Sequence, residues 1–216
     1  MKKVTAFLSV AALLLATSAF AQSSQILHVS GHSWESGAFP PSNAGDEYHV
    51  VGDLNDIDVP LVWDTANYSY TFYVRSLISL GEVNSGGTRL VSYSGGLFTI
   101  YVDWLPSNGN YGNSTPPNAT SPSTFTDGIS TYLDGSFVSF ELAYDNLSQS
   151  GTFVGELNFT GGDVYSLLYT TTGWTFGGHI ANASPNGYDL QVNGDVYLQV
   201  VGVEQASWGG IKALYQ

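Results

Sequence analysis

The sequence has no cysteine among its 216 residues. A chain without cysteine forms neither a disulfide nor a thiolate metal site, and it has no thiol nucleophile. Basic residues are also scarce, with five Lys and Arg against 18 Asp and Glu, and the net charge at pH 7 is −13. Because nucleic acids and anionic lipids bind proteins through clustered Lys and Arg, the composition argues against both partners. Neutral polymers, cations and basic proteins remain as ligand classes.

The longest apolar run lies at the N-terminus, in the segment MKKVTAFLSVAALLLATSAFAQ. Lys2 and Lys3 precede an apolar stretch of secretory length and an A-x-A site, so the pattern predicts a bacterial signal peptide over residues 1–21. The run is shorter than the about 20 apolar residues of a spanning helix, and we expect no transmembrane segment in the mature chain. Cleavage after Ala21 leaves three basic and 18 acidic residues, a net charge of −15. We expect a secreted or cell-surface protein, with the periplasm as the alternative location.

The rest of the chain alternates apolar and polar residues with a period of two, and no helical period persists for three turns. The alternation is clearest in YSYTFYV (68–74), LFTIYVDW (97–104), FVSFELAY (137–144) and TFVGELNF (152–159). We therefore predict an all-β protein with one domain over residues 22–216, built as an antiparallel β-sandwich or jelly roll. A small outer-membrane β-barrel is the alternative, because such barrels also have alternating strands of about 10 residues.

Two segments interrupt the regular strands. In YDLQVNGDVYLQV (188–200), a three-residue loop from Val192 to Gly194 would join two strands of a hairpin, with Gly194 in the left-handed conformation. Residues 107–128 contain Pro, Ser, Thr and Asn without periodicity, which predicts a long loop. A loop of this length is usually functional or disordered, so it is either a ligand lid or a loose insertion.

The segment GDLNDIDVP (52–60) contains the densest group of oxygen ligands, Asp53, Asn55, Asp56 and Asp58. It departs from the EF-hand loop, since Ile57 occupies the fifth position and Asp58 the place of the invariant glycine. The segment is therefore either a looser calcium site or a solvated acidic turn. Calcium is the one cofactor that the sequence suggests.

A second segment with residue types that can bind metals is HVSGHSWE, which contains His28, His32 and Glu35. Two histidines four apart on a strand share a face but are roughly 13 Å apart, too far to bind one zinc ion directly. We expect them to be polar surface histidines.

Catalytic motifs are weak in this chain, and the sequence favours a protein that is not an enzyme. It has no G-x-S-x-G motif, so a serine nucleophile on a strand-to-helix turn is not expected. Glycoside hydrolysis needs only two carboxyl groups at the right separation, and Glu141 and Glu156 on neighbouring polar strand faces are the candidate pair.

Aromatic residues are plentiful, with five Trp, 14 Tyr and 11 Phe. Exposed rings can stack on sugars, and the candidate ligand-binding rings are Trp34 and Trp174. Trp174 is flanked by glycine in GWTFGGHI, which would leave its ring open.

The segments SGGLFTIYVD, NATSPSTFTDGISTYLDGSFVSFELAYDN and GTFVGELNFTGG, within residues 95–200, together resemble exported bacterial β-rich proteins of uncharacterised function. Some of those proteins carry a PEP-CTERM sorting signal. This chain lacks its Pro-Glu-Pro motif, apolar helix and terminal arginines, and ends in EQASWGGIKALYQ instead. The resemblance implies an exported surface or extracellular role and carries no catalytic residues.

Together these features predict a secreted bacterial binding or structural module at the cell exterior. Its expected partner is a neutral glycan or a cell-surface component. The alternative is a secreted carbohydrate hydrolase that uses a carboxylate pair.

Overall fold

The computed structural model describes residues 24–105, 109–111, 123–182 and 187–198, so the predicted signal peptide lies outside the described residues. Eight antiparallel strands follow one another in chain order and form a closed barrel. The strands are β1 (Ser24–Glu35), β2 (Glu47–Ile57), β3 (Tyr68–Ser85), β4 (Thr88–Trp104), β5 (Ser130–Asp145), β6 (Ser150–Gly161), β7 (Trp174–Ala181) and β8 (Leu190–Leu198). In the described parts of the connections lie two 3-10 helices of three residues, Ser123–Phe125 and Tyr165–Leu167.

None of the helices in the described residues is long and apolar enough to cross a membrane.

The all-β, antiparallel prediction is confirmed, but the predicted sandwich is wrong, and the strand arrangement matches the barrel alternative. A sandwich and a barrel both bury one face of each strand, so alternation alone does not distinguish them. The difference lies in closure, which joins β1 to β8 here. His28 Nδ1 and Asp195 Oδ1 are 2.6 Å apart across this seam, and the amide of Asp189 donates to the Ser33 carbonyl at 2.8 Å.

The inward rows of the strands carry the residues that the alternation placed on the apolar face. Phe72, Phe98, Phe140, Phe153, Phe176 and Leu157 are all buried in one continuous core. Val138 and Trp104 are exceptions, since both side chains are exposed, Trp104 at the end of β4. The register shifts between Phe137 and Ser139, so Phe137 takes the inward place. A β-bulge of this kind moves a residue to the opposite face, and a period of two does not reveal it.

The predicted hairpin at Val192–Gly194 is wrong, because β8 runs through these residues without a turn. Gly194 pairs with Gly178 of β7 and faces inward. A Cβ atom built on Gly194 would lie 2.7 Å from Cζ of Phe153, so a side chain would collide with a core ring. The Asn-Gly pair thus reflects close packing against an aromatic residue rather than a turn.

The barrel has two ends, each formed by alternate connections between strands. Among the described residues, one end carries 58–67, 105, 109–111, 123–129 and 162–173 and is called the Trp63 end. The other carries 36–46, 86–87, 146–149, 182 and 187–189 and is called the Glu35 end.

The predicted loop at 107–128 belongs to the connection between β4 and β5, and its described parts pack on the outer wall of the barrel. Phe125 is fully buried against Val51, an outward residue of β2, and Tyr188 joins the same cluster. The hydroxyl of Thr71 donates to the Phe125 carbonyl at 3.0 Å and fixes the connection to β3. A small second core therefore lies outside the barrel wall.

Candidate ligand groove

The structure places Trp174 inside the barrel, which corrects its predicted role as an open stacking ring. Only 1% of its surface is exposed, and its ring packs against Phe159. The indole Nε1 donates to the Thr170 carbonyl at 3.0 Å, so the polar atom of the ring is also engaged. The adjacent Gly173 has a positive φ of 78°, so it serves the turn into β7 and leaves the ring inside.

Trp34 lies half-buried on the outer wall, where other aromatic rings already pack on it. The His49 ring stacks on the indole at 4.6 Å with an interplanar angle of 12°. Tyr73 is parallel to it at 6.4 Å, and Tyr188 meets it edge-on at 5.8 Å. A ligand would therefore have to compete with an existing stack at this position.

The predicted calcium ligands lie on β2 and directly after it, where their side chains engage different partners. The carboxylate of Asp53 accepts hydrogen bonds from the Tyr111 hydroxyl at 3.1 Å and from the Gly109 amide. Asn55 Oδ1 instead accepts from the Ser30 hydroxyl at 3.3 Å. Asp56 and Asp58 are exposed. Within the described ranges, no group of three or more His, Cys, Asp or Glu could hold a metal ion.

The structure does not enclose the candidate carboxylate pair, Glu141 and Glu156, in a common cleft. Glu141 pairs with Val154 on the outer wall, which places Glu156 diagonally across at about 7 Å. Such a separation suits a glycosidase, but both side chains are exposed. Glu141 borders an open depression of about 260 Å³, and Glu156 is not part of its lining.

The histidines of the HVSGHSWE segment do not converge on one point. His28 pairs with Asp195 at the barrel seam, whereas the His32 ring lies edge-on to Tyr111 at 4.6 Å in the outer cluster. Burial lowers the pKa of His32, and it also lowers that of His49. Glu35 lies elsewhere, facing the interior at the Glu35 end.

A groove opens at the Trp63 end where β2 and β3 separate. The two strands pair as far as Asp53 and Thr71. Beyond that pair, Leu54–Ile57 continue beside β1, and Tyr68–Tyr70 continue beside β4. The resulting groove has a volume of about 410 Å³ and is lined by Asp53, Leu54, Trp63, Thr65, Tyr68, Ser69, Tyr70 and Leu105.

Aromatic rings form one side of the groove. Trp63 stacks on Tyr70 with ring centroids 4.9 Å apart, and Tyr68 packs against Trp104 at 4.8 Å. The 58–67 connection that carries Trp63 is held in place by Tyr132, whose hydroxyl donates to the Val62 carbonyl at 2.5 Å. The groove therefore presents rings on a fixed connection.

Polar side chains also line the groove, and one of their atoms has no partner among the described residues. The Oγ atom of Ser69 is buried and has no hydrogen-bond partner in the part of the chain that the structure describes. Burial raises the pKa of Asp53, while its hydrogen bonds with Tyr111 and Gly109 lower it. Asp53 and Ser69 thus place a hydrogen-bond acceptor and a buried hydroxyl next to the aromatic rings of the groove.

Sequence reasoning missed this groove for identifiable reasons. The sequence suggests Asp53 as a metal ligand, and nothing in it distinguishes Trp63 from the other four tryptophans. The alternation places Tyr68 and Ser69 on opposite faces of β3, which gives no sign that a groove reaches both. The available signal was the closeness of Trp63 and Tyr68 in the sequence, just before and at the start of the alternating segment 68–74.

Comparison with known proteins adds no family to this description, since no family model, curated protein or solved structure matches the chain.

Proposed function

We propose that this protein is a glycan-binding module of the cell exterior and that its groove at the Trp63 end binds a neutral sugar chain. The observation that carries the proposal is an open groove in which aromatic rings and polar side chains lie together. A sugar ring has apolar C–H faces, which pack on aromatic rings, and a rim of hydroxyl groups, which need donors and acceptors. Trp63 and Tyr68 match the first requirement, and Asp53 and Ser69 match the second.

The charge of the molecule supports a neutral ligand over an acidic one. The chain has a net charge of −13, and Asp53 brings a carboxyl group into the groove itself. A uronic or sialic acid would meet like charge without a compensating cation in the described lining. A neutral sugar would experience no such repulsion.

The composition of the groove also favours binding over hydrolysis. Glycoside hydrolysis uses two carboxyl groups on opposite sides of the scissile bond. Asp53 is the one acidic residue among the described residues that line the groove. The groove can hold a sugar, but it lacks the second acid for the usual mechanism.

The test is a fluorescence titration of the full chain with cellohexaose, xylohexaose, mannohexaose and chitohexaose. We expect at least one of them to bind with a Kd below about 1 mM and to change the tryptophan emission. Tyr68→Ala should weaken that binding at least tenfold, because a stacking contact of about 1.4 kcal/mol is lost. Ser69→Ala should weaken it by a smaller factor.

The matched control is Tyr169→Ala, which removes an exposed tyrosine that does not line the groove. Its affinity should equal that of the wild type. Absence of binding to all four sugars would contradict the proposal, as would equal binding by the Tyr68→Ala and wild-type chains. Far-UV circular dichroism establishes that each variant is folded.

A further inference from the structure

The Glu35 end of the barrel is covered by residues 36–46, here called the cap. Phe39 of the cap is buried and packs edge-on against Tyr144 of β5 at 5.3 Å. The cap also joins β3 through its backbone, since the Gly45 amide donates to the Ser79 carbonyl at 2.9 Å. The cap is therefore an integral lid over the core at this end.

Carboxyl groups of the barrel provide further hydrogen bonds to the cap. Ser42 donates its hydroxyl to Glu35 Oε1 at 2.9 Å and its amide to Glu82 Oε2 at 3.1 Å. The amide of Phe39 donates to Asp189 Oδ2 at 3.0 Å. Attachment of the cap thus depends on three acidic side chains.

Glu35 differs from the other two acids because it lies beneath the cap and faces the interior. Only 4% of its surface is exposed. Its Oε1 atom accepts from the Tyr93 hydroxyl at 2.5 Å, whereas its Oε2 atom is buried and has no partner among the described residues. An ionised carboxylate in this position would have one oxygen without a hydrogen bond, which is costly in a low-dielectric interior.

The hydroxyls of Tyr93 and Ser42 favour the ionised form of Glu35, but burial and nearby acids outweigh them. Tyr48 of β2 and Tyr93 of β4 are uncharged, and burial raises the pKa of each. Asp46 of the cap and Asp189 before β8 are acidic and oppose ionisation of Glu35. The cation in this region, Arg89, is already paired with Glu82.

We propose that Glu35 is a proton-operated latch, which holds the cap closed when its carboxyl is neutral and releases the Ser42 segment when it is ionised. Release would let Oε2 reach water and would move the charge of Asp46 away. It would also uncover the aromatic surface beneath the cap, including Tyr93 and the Tyr144 ring on which Phe39 packs. The barrel would then present a new apolar surface at its Glu35 end as the pH rises.

The test is hydrogen–deuterium exchange of the cap peptide, measured by mass spectrometry on the full chain at about pH 5 and about pH 8. These values lie on either side of the Glu35 pKa, which burial raises to about 7. The intrinsic exchange rate also depends on pH, so wild type and Glu35→Gln are compared at each pH. We expect at least tenfold faster cap exchange in the wild type than in Glu35→Gln at pH 8, and equal rates at pH 5.

Two controls separate the effect of Glu35 on the cap from general effects of pH and charge. The 58–67 connection should exchange equally in both chains at both pH values, and Glu141→Gln, which neutralises an exposed acid on the wall, should behave as wild type. Equal cap exchange in wild type and Glu35→Gln at pH 8 would overturn the proposal.

A second variant tests the latch without replacing Glu35. Tyr93→Phe removes a hydrogen bond that stabilises the ionised carboxylate, so the opening transition should move to higher pH. A transition that is unchanged or moves to lower pH would also overturn the proposal.

Discussion

At the Trp63 end, Asp53 borders an open groove, and its carboxyl accepts hydrogen bonds from Tyr111 and Gly109. At the Glu35 end, the Glu35 carboxyl is enclosed beneath the cap with one oxygen unpaired. Burial raises the pKa of both carboxyl groups. For Glu35, the nearby negative charges of Asp46 and Asp189 raise the pKa further. The comparison teaches that neighbours set the role of a carboxyl group: we propose that Asp53 accepts hydrogen bonds from a ligand and that Glu35 holds the cap.

The largest expected effect tests whether the two ends belong to one cooperative unit. Phe98→Ala removes a fully buried ring that packs near Phe72 and Phe176 at the barrel centre. We expect a loss of about 3–5 kcal/mol in the free energy of unfolding, measured by urea titration. Tryptophan emission and far-UV circular dichroism should report one transition. Two separate transitions would show that the ends unfold independently, and Leu147→Ala at an exposed site should change stability by at most about 0.5 kcal/mol.

The next effect concerns the pH dependence of stability that Glu35 contributes. Its pKa is about 7 in the folded chain against an ordinary value of 4.5, so the neutral form favours folding. The contribution is complete below about pH 4.5 and is lost as the pH rises through 7, a change of about 3 kcal/mol. In Glu35→Gln this pH-dependent contribution to the free energy of unfolding should disappear. The difference between the two chains in urea unfolding from pH 4.5 to 8 measures it, and parallel curves would contradict the assignment.

His49, which stacks on Trp34 on the outer wall, should make stability depend on pH in the opposite direction from Glu35 and by a smaller amount. Burial lowers the pKa of His49, so the folded chain favours its neutral form, and stability should fall as the pH drops below about 6.5. His49→Gln should remove that acid sensitivity. At pH 8 it should cost about 1 kcal/mol through loss of the Trp34 stack and the hydrogen bond with Tyr73. Thermal unfolding of the wild type and His49→Gln at pH 5 and pH 8 measures both effects. Equal loss of stability at pH 5 in the two chains would contradict the predicted role of His49.

The smallest expected effect is that of calcium. Since Asp53 and Asn55 engage different partners, calcium at 1 mM should leave Tm within about 1 °C of its value with chelator. A site with a Kd of about 10 μM would instead add roughly 2.7 kcal/mol. A shift of that size, abolished by Asp53→Ala with Asp56→Ala, would restore the calcium hypothesis.

Much of the inside-and-outside pattern could be predicted from the sequence, because a strand alternates its side chains regardless of how the sheet closes. The alternation in LFTIYVDW places Phe98, Ile100, Val102 and Trp104 on one face; the first three are buried, whereas Trp104 at the strand end is exposed. Closure could not be predicted, since it depends on contacts between β1 and β8 that no local pattern records. The same holds for Gly194, whose meaning depends on a ring of another strand.

The candidate sites were harder to predict because each depends on neighbours that are distant in sequence. The glycine next to Trp174 predicted an open ring. The ring is buried instead, because Trp174 has an inward position at the start of β7. Asp53 was selected for its acidic neighbours, whereas its observed partners are Tyr111 and Gly109. Glu35 belonged to a predicted histidine group, and its burial follows from the cap that folds back over it.

Closure of the barrel also bears on the order of events during folding. The contact between His28 and Asp195 joins residues that are 167 positions apart, so the ring is complete only after nearly the whole chain is available. Contacts of such long range slow folding, because the entropy of a large loop is lost before they form. Until β8 docks, β1 has an unpaired edge that could pair with another chain. The barrel can therefore close only after its last strand has been synthesised, and one edge of its first strand must stay unpaired until then.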